Sequence, residues 1–341
     1  MARDLVTGAS GLLGRCLGAR LGAAGRPARF FEVLPPPEEL RDGAEAVVGD
    51  MRDPARVREA ARGVEVIYHL AAGQRMKPQF AGMAEEEIRA MNVAGVRHVL
   101  DAAAAEGVRK VVLMSSSGVY GIPTTVPVTE DHPQRPLGAY GRSKIEAETL
   151  CLEFLARGGD VTIFRPMSLF GPHMSGVFLL LFDWVHRGKN VYLLGSGRNR
   201  VQMVSAWDVA DACLLAATTP AARGAIFNLG AEIVPTVRAQ VEALVAHPGS
   251  PSRIVPIPAG LLRAAARVLN VTGLSPIVPE HYLLADSTFV LDCTRARDVL
   301  GWRPRHTNVS LTFEAYDWYV AHAAEVAPRR GPILALLDAL S

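Results

Sequence analysis

The chain has 341 residues, of which 49% are hydrophobic and 21% are charged, and its formal net charge is +2. This size allows one large domain or two lobes, while the nearly balanced charge, without a long basic run, argues against a nucleic-acid-binding protein. The longest apolar runs are far shorter than the roughly twenty residues that cross a bilayer, so we expect no membrane span.

The cysteines and the first residues indicate a cellular compartment. Cys16, Cys151, Cys213 and Cys293 are widely separated, and none forms a pair with metal-ligand spacing. We therefore expect buried thiols in a reducing compartment and no bound metal. The first apolar segment begins at Leu5, which leaves no room for a signal peptide. The expected location is the cytoplasm.

Short apolar segments alternate with alanine-rich segments through the first two thirds of the chain. This alternation is typical of a parallel sheet with helices on both faces, and it predicts a doubly wound α/β fold. The predicted strands are 4–6, 29–33, 46–48, 66–70, 111–115, 162–165 and 225–229. The predicted helices are 13–24, 54–61, 85–105 and 140–157.

A glycine-rich segment, Thr-Gly-Ala-Ser-Gly-Leu-Leu-Gly at residues 7–14, follows the first strand and opens the first helix. Gly8 would permit a tight turn, Gly11 the close approach of a pyrophosphate, and Gly14 the close packing of helix on sheet. Backbone N–H groups at the helix start favour the anion. The segment therefore predicts a dinucleotide site, which would also involve Ser10, Leu12 and Leu13.

The next three strand ends add candidates for the same site. Glu32 lies 18 residues beyond Gly14, near the spacing of a carboxylate that binds the adenosine ribose and repels a 2′-phosphate, which favours NAD. Alternatively, Glu32 is a solvated strand end. Asp50 and Met51 could hydrogen-bond and cover the adenine. Leu70, Ala71 and Ala72 lie at the end of the fourth strand and just after it. The segment offers small residues at a place where the backbone must pass the cofactor closely.

Tyr140 and Lys144 lie four residues apart, on one face of the fourth predicted helix. They follow three consecutive serines, residues 115–117, by about two dozen residues. A lysine ammonium beside a phenol favours the phenolate, which can then take a proton from a hydroxyl group. The same spacing also occurs on ordinary amphipathic helices, so the surrounding motifs must decide between the two interpretations.

Short motifs continue in a fixed order along the chain: residues 7–14, Asp50-Met51, His69-Leu70-Ala71-Ala72, Asn92-Val93, residues 115–121 and 140–144, Phe164-Arg165-Pro166, Asp208-Val209-Ala210, Asn228-Leu229-Gly230 and residues 300–304. In this combination the sequence resembles the extended short-chain dehydrogenase/reductases, the family of NAD-dependent nucleotide-sugar epimerases and dehydratases. The resemblance covers nearly the whole chain. It implies NAD as cofactor and a homodimer formed through helices 85–105 and 140–157.

The resemblance also implies roles for matching positions. Ser116 would hydrogen-bond the reacting oxygen, Tyr140 would be the acid and base, and Lys144 would hold the nicotinamide ribose and tune the tyrosine. Asn92 would support the site from a neighbouring helix. The chemistry of these side chains agrees with the implied roles, because a phenolate can take the hydroxyl proton while the nicotinamide takes the hydride.

The organisation into lobes follows from the same motifs and from the glycine and proline clusters after residue 166. We predict that residues 1–165, with 200–230 returning to them, form a Rossmann-type NAD-binding domain. Residues 166–199 and 231–341 would form a smaller substrate-binding lobe. The substrate crevice is expected between this lobe and the carboxyl ends of the strands.

Candidate substrate contacts are less regular. Ser168 occupies the place of an asparagine that helps many relatives bind a nucleotide diphosphate. Val201 occupies the place of a phosphate-clamping arginine, with Arg198 and Arg200 nearby. Either arginine could bind a diphosphate, and both could equally be solvated loop charges.

Two departures from the motifs of this family reduce the number of reactions that we expect. Dehydratases of this family carry an Asp-Glu pair, and decarboxylases a glutamate, where this chain has Ser117 and Gly118. We therefore expect an NAD-dependent nucleotide-sugar epimerase that oxidises a sugar hydroxyl transiently to a ketone. The alternatives are a net dehydrogenase or reductase of a nucleotide sugar or a sterol-like secondary alcohol, and a Rossmann-fold protein that only binds NAD.

Overall fold

The computed structural model describes residues 3–40, 44–73, 83–174, 178–258, 260 and 286–326. Its strands, in chain order, are β1 (Arg3–Thr7), β2 (Ala28–Glu32), β3 (Ala44–Val48), β4 (Val64–His69), β5 (Lys110–Met114), β6 (Val161–Pro166), β7 (Ser168–Phe170), β8 (Val191–Leu194), β9 (Met203–Ser205), β10 (Ile226–Leu229) and β11 (Ile254–Ile257). Seven of them form one parallel sheet in the order β10-β6-β5-β4-β1-β2-β3.

The order of the strands reverses at the centre of this sheet. From β1 the chain first moves outward through β2 and β3, and it then crosses to β4 and moves outward through β5, β6 and β10. In open α/β sheets the crevice at such a switch point binds the ligand. The doubly wound, Rossmann-type α/β fold is confirmed, and all seven predicted strands occur with ends shifted by two residues or fewer.

Helices cover both faces of the sheet. Within the described residues the helices of the whole chain are, in order, α1 (Leu12–Ala23), α2 (Pro54–Ala61), α3 (Glu85–Glu106), α4 (Ala139–Ala156), α5 (Phe178–His186), α6 (Ala206–Thr218), α7 (Val237–Ala246), α8 (Thr294–Leu300), α9 (Asn308–Ala321) and α10 (Ala323–Val326). Neighbouring strand residues point to opposite faces. Leu5 and Val111 therefore pack against α2, α3 and α4, whereas Val6 and Val112 pack against α1 and α6.

The later part of the chain has a core of its own. It contains two small parallel sheets, β7 with β9 and β8 with β11. Phe182 of α5, Leu244 of α7 and Tyr319 of α9 are buried together there. The boundaries of the predicted lobes stay a prediction, and part of the second lobe lies outside the described residues. No helix within the described ranges is long and apolar enough to cross a membrane.

Candidate active site

The turn after β1 packs directly on the segment after β4. Gly8 has a φ of 76°, and a Cβ atom there would lie 2.7 Å from the Ala71 nitrogen and 2.9 Å from its Cα atom. Only glycine fits this position without strain. The Leu70 N–H donates to the Thr7 carbonyl at 3.1 Å. The structure thus brings the glycine-rich turn beside Leu70, Ala71 and Ala72, as the sequence predicts.

The start of α1 has the form of an anion-binding cradle. Gly14 packs so closely that a Cβ atom would lie 2.3 Å from the Gly8 carbonyl oxygen. Gly11 is the N-cap residue, and no side chain caps this helix in the described structure. The first N–H groups, those of Leu12, Leu13 and Gly14, therefore point to an open helix end that can bind phosphate. These residues fit a dinucleotide pyrophosphate.

Glu32 ends β2 beside this cradle. Its Oε1 atom accepts a hydrogen bond from the Ser10 N–H at 2.6 Å. The carboxylate is thereby held against the glycine-rich turn, at the place where an adenosine ribose would follow the pyrophosphate. A fixed negative charge here repels a 2′-phosphate, which supports NAD as the preferred dinucleotide.

Replacing Glu32 by alanine is expected to weaken NAD binding roughly tenfold, the effect of losing a charge-assisted hydrogen bond. NADP binding should weaken much less, because the substitution also removes the repulsion of the 2′-phosphate. Isothermal titration with both dinucleotides measures the two dissociation constants. Glu59→Ala, at an exposed position of α2, is the matched control and should change neither. An unchanged NAD/NADP ratio in Glu32→Ala would exclude Glu32 as the ribose reader.

Asp50 and Met51 follow β3 at the same edge of the sheet. The Arg52 Nε atom donates to Asp50 Oδ1 at 3.0 Å, and this guanidinium holds the pKa of the Asp50 carboxyl below its usual value. The Met51 carbonyl accepts a hydrogen bond from His98 Nδ1 at 2.8 Å, while its side chain packs near Gly95 of α3. Asp50 therefore has a cationic partner, Arg52, with which an adenine would compete.

Ser116 and Tyr140 approach each other at the carboxyl end of β5. Ser116 precedes a short 3-10 turn, and its Oγ atom accepts a hydrogen bond from the Gly118 N–H at 3.0 Å. A Cβ atom on Gly118 would lie 3.3 Å from Ser116 Oγ and 4.0 Å from Tyr140 Cδ1. Gly118 is therefore the small residue between the two. The Ser116 hydroxyl keeps its proton available for a further hydrogen bond.

A second glycine allows α4 to begin against this turn. A Cβ atom on Gly141 would lie 2.7 Å from the Gly118 carbonyl oxygen and 2.7 Å from Pro136 Cβ. Any larger residue would push the first turn of α4, which carries Tyr140, away from the turn that follows Ser116. The glycines at 118 and 141 therefore determine how closely the predicted base approaches the predicted serine.

Lys144 lies one turn further along α4 and is buried. Its Nζ atom donates to the Met114 carbonyl at 2.8 Å and lies 5.5 Å from the centre of the Tyr140 ring. Burial lowers the pKa of Lys144 to about 8, an effect that Glu148 partly opposes. The structure thus brings Ser116, Tyr140 and Lys144 together, as the resemblance implies.

Asn92 links three elements around this site. Its Oδ1 atom accepts the Gly73 N–H at 2.7 Å, and its Nδ2 atom donates to the Gly73 carbonyl at 3.0 Å and to Ser143 Oγ at 3.3 Å. It therefore joins α3 to α4 and to the segment after β4. His69 is buried, forms a hydrogen bond with Thr7 Oγ1 at 2.7 Å, and has its pKa lowered to about 3 by burial. This neutral histidine belongs to the core.

The predicted substrate residues lie beyond β6 and are exposed. Ser168 begins β7, and Arg198 and Arg200 lie in the segment between β8 and β9. Gly171, just after β7, would place a Cβ atom 3.3 Å from Leu12 Cδ1, so this segment borders the cofactor cradle. No hydrogen bond or ion pair within the described residues joins either arginine side chain to Ser116, and their substrate contacts stay predictions.

A buried ion pair that the sequence motifs do not indicate lies next to the segment that carries Ser116. Glu148 of α4 and Arg165 of β6 form a two-pronged contact, and the Ser115 hydroxyl also donates to Glu148. The available signal was the position of Glu148, four residues after Lys144 on the same helix face.

A Rossmann-type sheet with a glycine cradle at its switch point defines a dinucleotide-binding protein. Residues 5–230 match the NAD dependent epimerase/dehydratase family. The chain belongs to this family, and it is an NAD-dependent enzyme.

Individual relatives support this placement. An uncharacterized protein, y4nG, of Sinorhizobium fredii is 34% identical over 98% of this chain and 85% of its own length. The UDP-glucose 4-epimerase of Mycolicibacterium smegmatis is 30% identical, over 89% of this chain and 94% of its own. The solved structure of MoeE5 in complex with UDP-glucuronic acid and NAD has a TM-score of 0.75 and 25% identity, covering 94% of this chain and 99% of MoeE5.

Proposed function

We propose that this protein is a nucleotide-sugar epimerase of the UDP-glucose 4-epimerase type. The observation that carries the proposal is that Ser116 and Tyr140 both lie beside Gly118, a residue without a side chain, and that Lys144 Nζ lies 5.5 Å from the centre of the Tyr140 ring. Dehydration and decarboxylation of a ketosugar need an additional acid or base beside the tyrosine, and positions 117 and 118 supply none. The similarity to an epimerase over most of both chains supports the same activity.

The proposed chemistry needs few protein groups. Bound NAD supplies a reversible hydride acceptor. Tyr140, as phenolate, takes the proton of a sugar hydroxyl, and the Ser116 hydroxyl donates a hydrogen bond to the same oxygen as it becomes a carbonyl. Lys144, as ammonium, stabilises the phenolate and holds the nicotinamide ribose. Tyr140 would then return the proton to the same oxygen, and NAD, held at the cradle in its reduced form, would supply the hydride to the opposite face of the sugar, which yields the epimer.

The rest of the substrate would lie toward the second lobe. Arg198 and Arg200 have planar guanidinium groups that suit the oxygens of a nucleotide diphosphate. Ser168 lies in the segment next to the cofactor cradle and would donate a hydrogen bond to the same group. The structure of MoeE5 with a UDP-sugar acid and NAD supports a nucleotide sugar as the substrate class.

One experiment separates epimerisation from net oxidation or reduction. The purified protein is denatured, its released nucleotides are identified by mass spectrometry, and the native protein is assayed with UDP-, GDP-, CDP- and dTDP-sugars without added cofactor. We expect bound NAD and formation of an epimer. Stoichiometric formation of NADH, with turnover only when NAD is added, would instead identify a dehydrogenase.

The same preparation tests a further part of the proposal, the oligomeric state. We propose a cytoplasmic homodimer whose interface is formed by α3 and α4. Leu152, on α4, is a large apolar side chain that is 45% exposed in the single chain, as expected for a residue that a partner covers. Light scattering measures the mass in solution, and a monomer at working concentration would rule the dimer out.

A further inference from the structure

The buried ion pair of Glu148 and Arg165 contacts the residue before Ser116 and lies one helical turn from Lys144. Arg165 Nη2 and Nε donate to the two Glu148 oxygens at 2.7 and 2.9 Å, and each side chain is only 4% exposed. The carboxylate also accepts hydrogen bonds from the Ser115 hydroxyl and from Gln134 Nε2, the latter at 2.8 Å. Four donors therefore fix the position of one buried carboxylate.

These contacts hold both sides of the segment that carries Ser116. Ser115, which donates to Glu148, immediately precedes it. Tyr120, at the end of the following turn, accepts a hydrogen bond from Arg165 Nη1 at 2.9 Å and donates to Asn228 Oδ1 at 2.7 Å. The pair therefore holds the side chains of residues that lie before and after Ser116 in the chain.

The same pair lies one helical turn from Lys144. Glu148 follows Lys144 by four residues on α4, so both side chains share a face. The carbonyl that accepts the Lys144 hydrogen bond belongs to Met114, the residue before Ser115. In the ion pair the Arg165 cation offsets part of the negative charge that Glu148 presents to the lysine, whereas either partner alone would present a full charge.

We propose that the Glu148–Arg165 pair is a positioning device for Ser116 and Lys144, and that it keeps the charge beside the Lys144 ammonium balanced. The catalytic meaning of this inference rests on the proposed function. Loss of Glu148 would leave the Arg165 cation unpaired and disfavour the ammonium, while loss of Arg165 would leave an anion that favours it.

Three other titratable groups lie around Lys144, and Tyr140 among them is present in every variant compared. Tyr140 and Cys151 lie on the same helix, and His69 lies on β4. Burial raises the pKa of the Cys151 thiol and lowers that of the His69 ring to about 3. Both therefore stay uncharged between pH 6 and 9, roughly the range in which Lys144 titrates.

The titration of Lys144 can be observed directly. The chain has only four lysines, Lys77, Lys110, Lys144 and Lys189, so protein labelled with 13C-lysine gives four Cε signals, and Lys144→Met identifies the relevant one. Glu148→Gln should shift the Lys144 midpoint by about one pH unit downward, and Arg165→Gln should shift it upward by a similar amount. The double variant should return the midpoint toward that of the unmodified protein.

A second ion pair, in which the cation is buried and the carboxylate is 24% exposed, provides the control. Lys110 begins β5, and its Nζ atom lies 3.1 Å from Oδ1 of Asp160, which precedes β6. This pair therefore lies at the amino ends of the strands, whereas Ser116 lies beyond the carboxyl end of β5. Asp160→Asn leaves a buried cation unpaired, as Glu148→Gln does, and should lower the melting temperature comparably. It should leave the Lys144 midpoint unchanged.

The outcomes separate the inference from the proposed function. Shifts in the same direction for both single variants, or an unchanged midpoint in Glu148→Gln, would overturn the inference. If Glu148→Gln does not fold, the upward shift in Arg165→Gln and its reversal in the double variant decide the question. The titration needs no substrate, so its result stands even where Tyr140→Phe keeps its turnover, which would contradict the proposed function alone.

Discussion

Tyr140→Phe is expected to lower kcat by about a thousandfold, within the range that general acid–base catalysis contributes. The substitution removes the only atom of Tyr140 that can exchange a proton and keeps the ring that lies 5.5 Å from Lys144 Nζ. NAD affinity should therefore change by no more than about threefold, less than the effect of one neutral hydrogen bond. Epimer formation is measured by chromatography and NAD binding by calorimetry.

Tyr68→Phe is the matched control for this substitution. Tyr68 lies on β4 and is buried in the core between the sheet and helices α1 and α6. Its hydroxyl has no hydrogen-bond partner within the described part of the chain. Removal of an unpaired buried hydroxyl should leave stability equal or slightly higher, and turnover should stay unchanged. Normal epimerisation by Tyr140→Phe would remove Tyr140 from the role of base.

The sheet could be predicted because its signal is local. Each strand is a short apolar segment bounded by turn residues, and burial on both faces of a parallel sheet requires such segments. The glycine cradle could be predicted for a similar reason. Gly8 and Gly14 have spacings that the turn and the helix packing impose, and the contacts with Ala71 and with the Gly8 carbonyl confirm those constraints.

The partners of charged residues could not be predicted in this way. Glu148 is distant in sequence from Arg165, and the sequence does not indicate that β6 brings them together below Ser116. The position of Asp50 after the third strand predicts an adenine ligand, but the sequence does not show that Arg52, two residues further on, turns its guanidinium onto the same carboxylate. Pairings of this kind follow from tertiary packing, which hydrophobic periodicity does not encode.

Gly14→Ala is expected to have the largest effect of any single-methyl change on the cofactor site. The added Cβ atom would lie 2.3 Å from the Gly8 carbonyl oxygen and 2.5 Å from Ala9 Cα, distances that main-chain atoms cannot relieve without moving α1 from the sheet. Overpacking of this kind destabilises by about 3 kcal/mol. The displaced N–H groups would also no longer converge on the pyrophosphate, so NAD binding should fall beyond detection at millimolar concentration.

Gly22 allows a control on the same helix. It is exposed near the end of α1, and a Cβ atom there would meet nothing within 4 Å. Gly22→Ala should stabilise the protein by about 0.5 kcal/mol, because alanine loses less backbone entropy in a helix, and NAD binding should be unchanged. Urea denaturation measures both free energies of unfolding. If Gly14→Ala behaves like Gly22→Ala, α1 does not pack on the turn after β1 as closely as the cradle requires, and the predicted pyrophosphate site is wrong.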